Sequence, residues 1–169
     1  MKQAESGARI HYRDARPRDG ADQAEVFHHA VMQGSHAHYT LAQRRAWASV
    51  LPREASAWRA RQALYRTLVA SCDGRCVGFL ELDSPAQRIE TLYVWPSLSH
   101  RGIGSTLLIH AERIMLEQGI ARITIAASLM LAEGLQRRGW RYRGEEWVER
   151  GGESLPRIKL DKRLTLVET

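Results

Sequence analysis

Apolar and polar residues alternate with two different periods along this chain, and the two periods divide it into elements. Residues 8–14 (ARIHYRD) alternate as a half-buried strand does. Ala24, Phe27, Ala30 and Val31 recur at helical spacing, which predicts a helix over residues 20–33, capped by Asp19 and ended by Gly34. Thr40-x-x-Gln43 has the spacing of a capping box and opens a short helix to Ser49. Pro52 opens a third helical stretch to Ala63, because a first-turn N–H has no partner to lose. The period then changes to two. Residues 65–72 and 75–83 read as strands around Asp73-Gly74, a dipeptide that accepts the positive φ of a two-residue hairpin turn. Another strand follows over 87–95. Ile103, Leu107, Ala111 and Ile114 mark one face of a helix over 103–118, closed by Gly119. Residues 121–127 (ARITIAA) form a strand and 129–138 a short helix ending at Gly139. Two closing strands, 140–149 and 155–162, meet across Gly151-Gly152.

This order, β-α-α-α-β-β-β-α-β-α-β-β, is read as a single domain of α/β (α+β) class over residues 1–169, long enough to bury a real core. Apolar residues make up 44% and charged residues 26%, the balance of an ordinary water-soluble globule, and no apolar run approaches a membrane span. The opening MKQAESGARI lacks the apolar stretch of a secretory leader, which points to the cytoplasm and to no membrane partner. A net charge of +6 suits a polyanion or a phosphate-rich small molecule. The arginines are spread along the whole chain rather than gathered in one tract, which argues against nucleic acid. Cys72 and Cys76 have neither metal-pair nor C-x-x-C spacing and read as free thiols on a hairpin.

The most informative stretch is Leu92 to Met115, LYVWPSLSHRGIGSTLLIHAERIM. A strand breaks at Pro96, and the turn His100-Arg101-Gly102-Ile103-Gly104-Ser105 sits where a helix begins. A helix N-terminus presents unpaired N–H groups and a partial positive charge, and glycines there let a phosphate reach the backbone. Leu107 stands where a dinucleotide fingerprint needs its third glycine, and no Gly-Lys-Ser/Thr of a P-loop is present. What remains resembles motif A of the GNAT superfamily of acyl-CoA-dependent N-acetyltransferases. In that motif a strand ends in three cofactor-contacting residues. A four-residue spacer and then Gln/Arg-x-x-Gly-x-Gly/Ala follow, opening a helix. Leu92, Tyr93 and Val94 match the three, Trp95 to Leu98 the spacer, and Ser99 to Ser105 the loop, with Ser99 departing from Gln/Arg. The segment SLMLAEGLQRRGW resembles the second motif: Gly139-Trp140 matches its closing pair, while Met130 replaces an Asn and Gly134-Leu135 an aromatic pair.

The resemblance spans essentially the whole chain. It implies a mixed, mostly antiparallel central sheet flanked by helices on both faces. It also implies acetyl-CoA as cosubstrate, no metal, and direct attack by an amine of a small molecule or a protein. The main chain of Leu92, Tyr93 and Val94 would hold the pantetheine arm and acetyl group. Ser99, His100, Arg101, Gly102, Ile103, Gly104 and Ser105 would hold the pyrophosphate, mostly through amides. Many relatives use a second-motif tyrosine as general acid; Leu135 cannot serve, Tyr142 is poorly placed, and water can protonate a thiolate whose pKa is near that of cysteine.

Candidate bases are carboxylates on the central strands. Glu90, two residues before Leu92, would share its face by strand alternation, and Glu81 lies on the preceding strand. His36 and His38 are alternatives, since imidazole titrates near neutrality. With His28 and His29 they raise a metal site, but adjacent helical residues diverge and no ligand of suitable spacing accompanies them. Tyr39, in the loop GSHAHY, is the expected acceptor contact, with Trp47 and Trp95 lining the same pocket or packing in the core. A non-catalytic acyl-CoA-binding module is the competing reading. The Gly151-Gly152 hairpin could present an edge strand to a homodimer partner.

Overall fold

The computed structural model describes residues 9–165. Seven strands form one sheet in the order β1-β2-β3-β4-β5-β7-β6. They are β1 (Ile10–Asp14), β2 (Arg66–Cys72), β3 (Arg75–Asp83), β4 (Arg88–Val94), β5 (Arg122–Ala127), β6 (Arg141–Arg150) and β7 (Glu153–Arg163). The helices are α1 (Gly20–His29), α2 (Leu41–Ala48), α3 (Ala55–Leu64), α4 (Ile103–Glu117) and α5 (Leu129–Arg137). All neighbouring strands are antiparallel except β4 and β5, whose parallel ladder pairs only Arg88 with Thr124 and Ile89 with Ile125. The N-terminal residues read for a leader, Ala8 of the first predicted strand and the last four residues lie outside the described part.

Strand alternation sorts the core into two layers. Leu80 and Leu82 of β3 pack with Leu107, Ala111 and Met115 of α4 and with Leu135 of α5. Phe79, on the other face, packs with Phe27 of α1 and Trp58 of α3. Gly78 matters because a Cβ there would stand 3.2 Å from Ile103 Cγ2 and 3.3 Å from the carbonyl of Tyr93. Its bare backbone lets the first residue of α4 seat against the sheet. Asp73 and Gly74 carry φ of 51° and 81°, the left-handed pair that the hairpin turn requires. Both cysteines are free thiols, and burial pushes Cys76 up to about 12, so it stays protonated.

Three boundaries differ from the sequence pattern. The first helix is α-helical only to His29 and continues as a π-helical turn over Ala30–Gly34. Asp19 does not cap it. Its buried carboxylate turns back to accept from Arg13 at 2.8 and 2.9 Å and from the amide of Arg16 at 2.7 Å. Pro52 lies in irregular chain between bends at Leu51 and Arg53, and α3 starts at Ala55 instead. By contrast the Thr40–Gln43 box is formed in both directions, at 3.1 and 2.9 Å.

Candidate functional site

Beyond Ile89 and Ile125 the β4–β5 ladder stops, although β4 continues to Val94. The β5-facing edge of its last residues therefore has no strand partner. Its free N–H and C=O groups are suited to an extended polar ligand. At the end of this edge the chain passes Pro96–Leu98 and reaches α4 through Gly102, whose φ is 84°. His100 is also left-handed at φ 63°. Ser99, His100, Arg101 and Gly102 are exposed, whereas the Ile103 side chain is buried, so only its amide can face a ligand. The amides of Ile103, Gly104 and Ser105 are the first three of the helix and have no intrahelical acceptor. A Cβ on Gly102 would meet nothing within 4 Å, and one on Gly104 only Val94 Cγ2 at 3.8 Å. The protein itself therefore leaves both positions open. This fits a pyrophosphate held by amides. The hydroxyl of Ser99 is engaged locally, donating to Pro96 O at 2.8 Å.

On the other face of the sheet a cavity of about 320 Å³ opens at the same divergence. Leu92, Tyr93, Glu90 and Thr91 of β4 form one side, Ala126 and Ser128 another, and Tyr39, Trp47, Trp58, Arg150 and Arg157 its walls. Tyr93 sits at ring-centroid distances of 5.1 Å from Phe27 and 5.7 Å from Phe79, and burial pushes its phenol well above the ordinary value.

Glu90 is in the cavity for a reason that strand alternation does not supply. β3 pairs Glu81 with Thr91 and then Leu82 with Ile89, leaving Glu90 as the extra residue of a β-bulge. The inference that Glu90 shares a face with Leu92 is corrected here: Ile89 occupies the core face with Leu92, and the bulge turns Glu90 toward the cavity. Its carboxylate accepts from Arg88 Nε and Nη2, both at 3.1 Å.

Glu81 is elsewhere. It is fully buried and lines neither this cavity nor the groove beside it. It accepts from Arg61 at 2.9 and 2.7 Å and from Thr91 Oγ1 at 2.9 Å. Burial opposes the Arg61 charge, but the paired carboxylate outweighs it and raises the guanidinium pKa. The pair fixes Arg61 over the rings of Trp58 and Tyr65, at 5.4 and 5.2 Å. Arg61, Tyr65, Arg150 and Arg157 had no local sequence signal; only the fold brings them to one wall.

Tyr39 does reach the cavity, but its hydroxyl is committed. It donates to Pro156 O at 2.7 Å and accepts from the amide of Leu129 at 3.0 Å, tying the entry of α2 to β7 and the start of α5. Burial raises its pKa against the opposing pull of the Leu129 amide. Trp47 packs on Tyr39 at 5.4 Å and lines the cavity. Trp95 does not; its ring lies 4.7 Å from His29, in the packing behind α1. His36 and His38 are exposed outside the cavity. Tyr142 is 53% exposed on β6, and Leu135 is sealed in the core.

A family model described as the acetyltransferase (GNAT) domain matches residues 22–159. A solved GCN5-related N-acetyltransferase from Rhodopseudomonas palustris is 31% identical, with a TM-score of 0.85 over 91% of this chain and 95% of that one. The PaiA N-acetyltransferase of Thermoplasma acidophilum, solved in complex with coenzyme A, shares 21% identity and the fold, with a TM-score of 0.73 over 92% and 99%. Among curated proteins, the spermidine N(1)-acetyltransferase of Thermoplasma acidophilum is 44% identical over 55 residues. That is 31% of this chain, and it spans about a third of the relative, 34% of its length.

Proposed function

We propose, for a chain that belongs to the GNAT acetyltransferase family, that residues 1–169 act as one domain moving an acetyl group from acetyl-CoA to a primary amine by direct attack. The observation that carries this reading is the divergence of β4 from β5. It runs from the open helix start at Gly102 to a cavity on the opposite face, so two ligands can meet end to end. Bound acetyl-CoA supplies an acyl group activated as a thioester. The chain's part is to hold, orient and move protons. The first amides of α4 hold the pyrophosphate, and the free edge of β4 from Leu92 to Val94 holds the pantetheine arm and polarises the carbonyl.

Glu90 is the base. It takes a proton from the incoming ammonium, directly or through one water. The cationic side chains around it lower the ammonium pKa and so favour the neutral, attacking amine. α5, LMLAEGLQR, carries no hydroxyl side chain, so water is assigned as the proton source for the leaving thiolate. Glu81 acts at one remove, by positioning Arg61. Trp47 and the edge of Tyr39 wall the acceptor side, and the compartment that fits is the cytoplasm. A homodimer through the free edge of β6 is compatible with the 60% exposure of Trp147 there.

The buried Leu135, where many relatives place a hydroxyl, favours one other reading: a domain that binds acyl-CoA without turnover. Thermal unfolding with acetyl-CoA, CoA and ATP separates the cases. Acetyl-CoA at about 100 times its Kd should stabilise the fold by about 2.7 kcal/mol, a shift of a few degrees. CoA should do the same and ATP should not. Absence of any shift with acetyl-CoA sinks both readings. A shift without thiol release across an amine panel selects the binding domain.

A further inference from the structure

The acceptor cavity does not end at its walls. A groove of about 720 Å³ continues from it across the open face of β5, β7 and β6, sharing Glu90, Ile125, Ala126 and Arg157 with the cavity. Thr124 and Ala126 form part of its floor; Ile123 and Ala127 of the same strand point the other way, into the core beneath α4 and α5.

The carboxylates along this groove are all occupied. Glu90 is bonded to Arg88, and Glu146 to Arg157. Asp161, buried in the floor, is shared by Arg122, Arg141 and Arg143 at 2.9, 3.3 and 3.4 Å. Burial opposes its charge, but the Arg122 and Arg141 guanidiniums hold its carboxyl below the usual range. Three cations on one carboxylate leave positive charge over. Lys159 in the groove and Arg150 in the cavity have no carboxylate partner among the described residues; Arg150 donates only to the backbone of Glu149. The groove is therefore cationic after every internal pairing is counted, and a dication would enter it against the field.

Resting on the acetyl-transfer reading above, we propose that the acceptor is an anionic amine: one end is the primary amine at Glu90, and the other carries a carboxylate or phosphate that seats between Lys159 and the arginines around Asp161. This is the opposite charge type from the polyamine named for the Thermoplasma relative. Lys159 is then a specificity-determining residue, and the same charges that hold the far end lower the pKa of the ammonium near Glu90.

The test uses the full chain and four acceptors that differ only at the far end: 6-aminohexanoate, 6-aminohexyl phosphate, hexylamine and hexane-1,6-diamine. Acetyl-CoA-induced stabilisation is measured first; its absence is a failure of the acetyl-transfer reading, not of the charge argument. Acceptor affinity for the CoA-bound protein is then measured by calorimetry, and turnover by thiol release at saturating acetyl-CoA. At least one of the two anionic amines should exceed hexylamine by about tenfold in affinity and in kcat/KM, with the diamine weakest. Which anion leads identifies the headgroup. The preference should shrink as salt rises, and Lys159→Glu should lower it through KM. A diamine that equals or exceeds both anions overturns the proposal. So does a protein that binds acetyl-CoA but neither binds nor turns over either anionic amine.

Discussion

The two sides of the site are built from different material. The side we assign to the acyl donor is main chain: the unpaired edge of β4 and the first amides of α4, opened by Gly102 and by the close seat of Ile103 on Gly78. The proposed acceptor side is almost all side chain, drawn from eight elements and held by ion pairs such as Arg61–Glu81. Backbone recognition tolerates a wide choice of residues, provided that the dihedral angles survive. Side-chain recognition can be retuned one residue at a time while the fold stands.

Substitutions can break the contrast. Gly102→Glu should have the largest effect. It puts a charged side chain at φ 84° beside the pyrophosphate seat, so acetyl-CoA-induced stabilisation should vanish and activity fall to background. A variant that still shifts with acetyl-CoA would place the donor elsewhere. Next, Arg61→Met strands the buried Glu81 charge and should cost on the order of 3 kcal/mol in urea unfolding. Arg61→Met with Glu81→Leu should recover most of that loss; a double variant as unstable as the single would remove the ion pair as the cause.

Glu90→Gln should lower kcat/KM about 100-fold, with acetyl-CoA affinity intact. If activity stays within about twofold, the amine arrives already neutral and needs no base. Tyr39→Phe removes a bridge and leaves Pro156 O and the Leu129 amide without it. A loss of about 1–2 kcal/mol in stability, with kcat little changed, would mark Tyr39 as architecture rather than chemistry. The smallest effect concerns Asp19, behind the acceptor wall. Burial opposes its charge, but Arg13 and the Arg16 amide outweigh burial and hold its pKa below 3.8. The unfolded chain takes the proton first. The stabilisation is therefore complete above about pH 5 and fades as pH falls through the folded pKa. Asp19→Asn should be the less stable protein at neutral pH, and the difference should close on acidification.

The same division explains what the sequence made legible. The element order and the hairpin at Asp73-Gly74 are local patterns, and so is the box at Thr40–Gln43; the structure has all of them. The glycine-bearing helix entry at Gly102 was also readable, because it is contiguous in the chain, and the structure has it. The acceptor side was not. Strand parity assigned Glu90 to the wrong face, because a bulge is set by the pairing of two strands and not by one strand's residues. Glu81 looked like Glu90 in sequence, yet Arg61, from a helix 20 residues away, fixes it as a buried partner. Trp95 belonged with Trp47 by type alone, and the turn at Pro96 directs it to His29 instead. The arginines were visible only as a scattered surplus of charge. Their meeting around Asp161 depends on β7 inserting between β5 and β6.

The two-residue ladder between β4 and β5 has a consequence for the life of the protein. It makes the sheet two antiparallel blocks joined by a short seam, and a ligand laid along that seam is mortar between them. The open, protease-susceptible state then competes directly with ligand occupancy. On the acetyl-transfer reading acetyl-CoA is that ligand, so added acetyl-CoA should slow limited proteolysis of the chain.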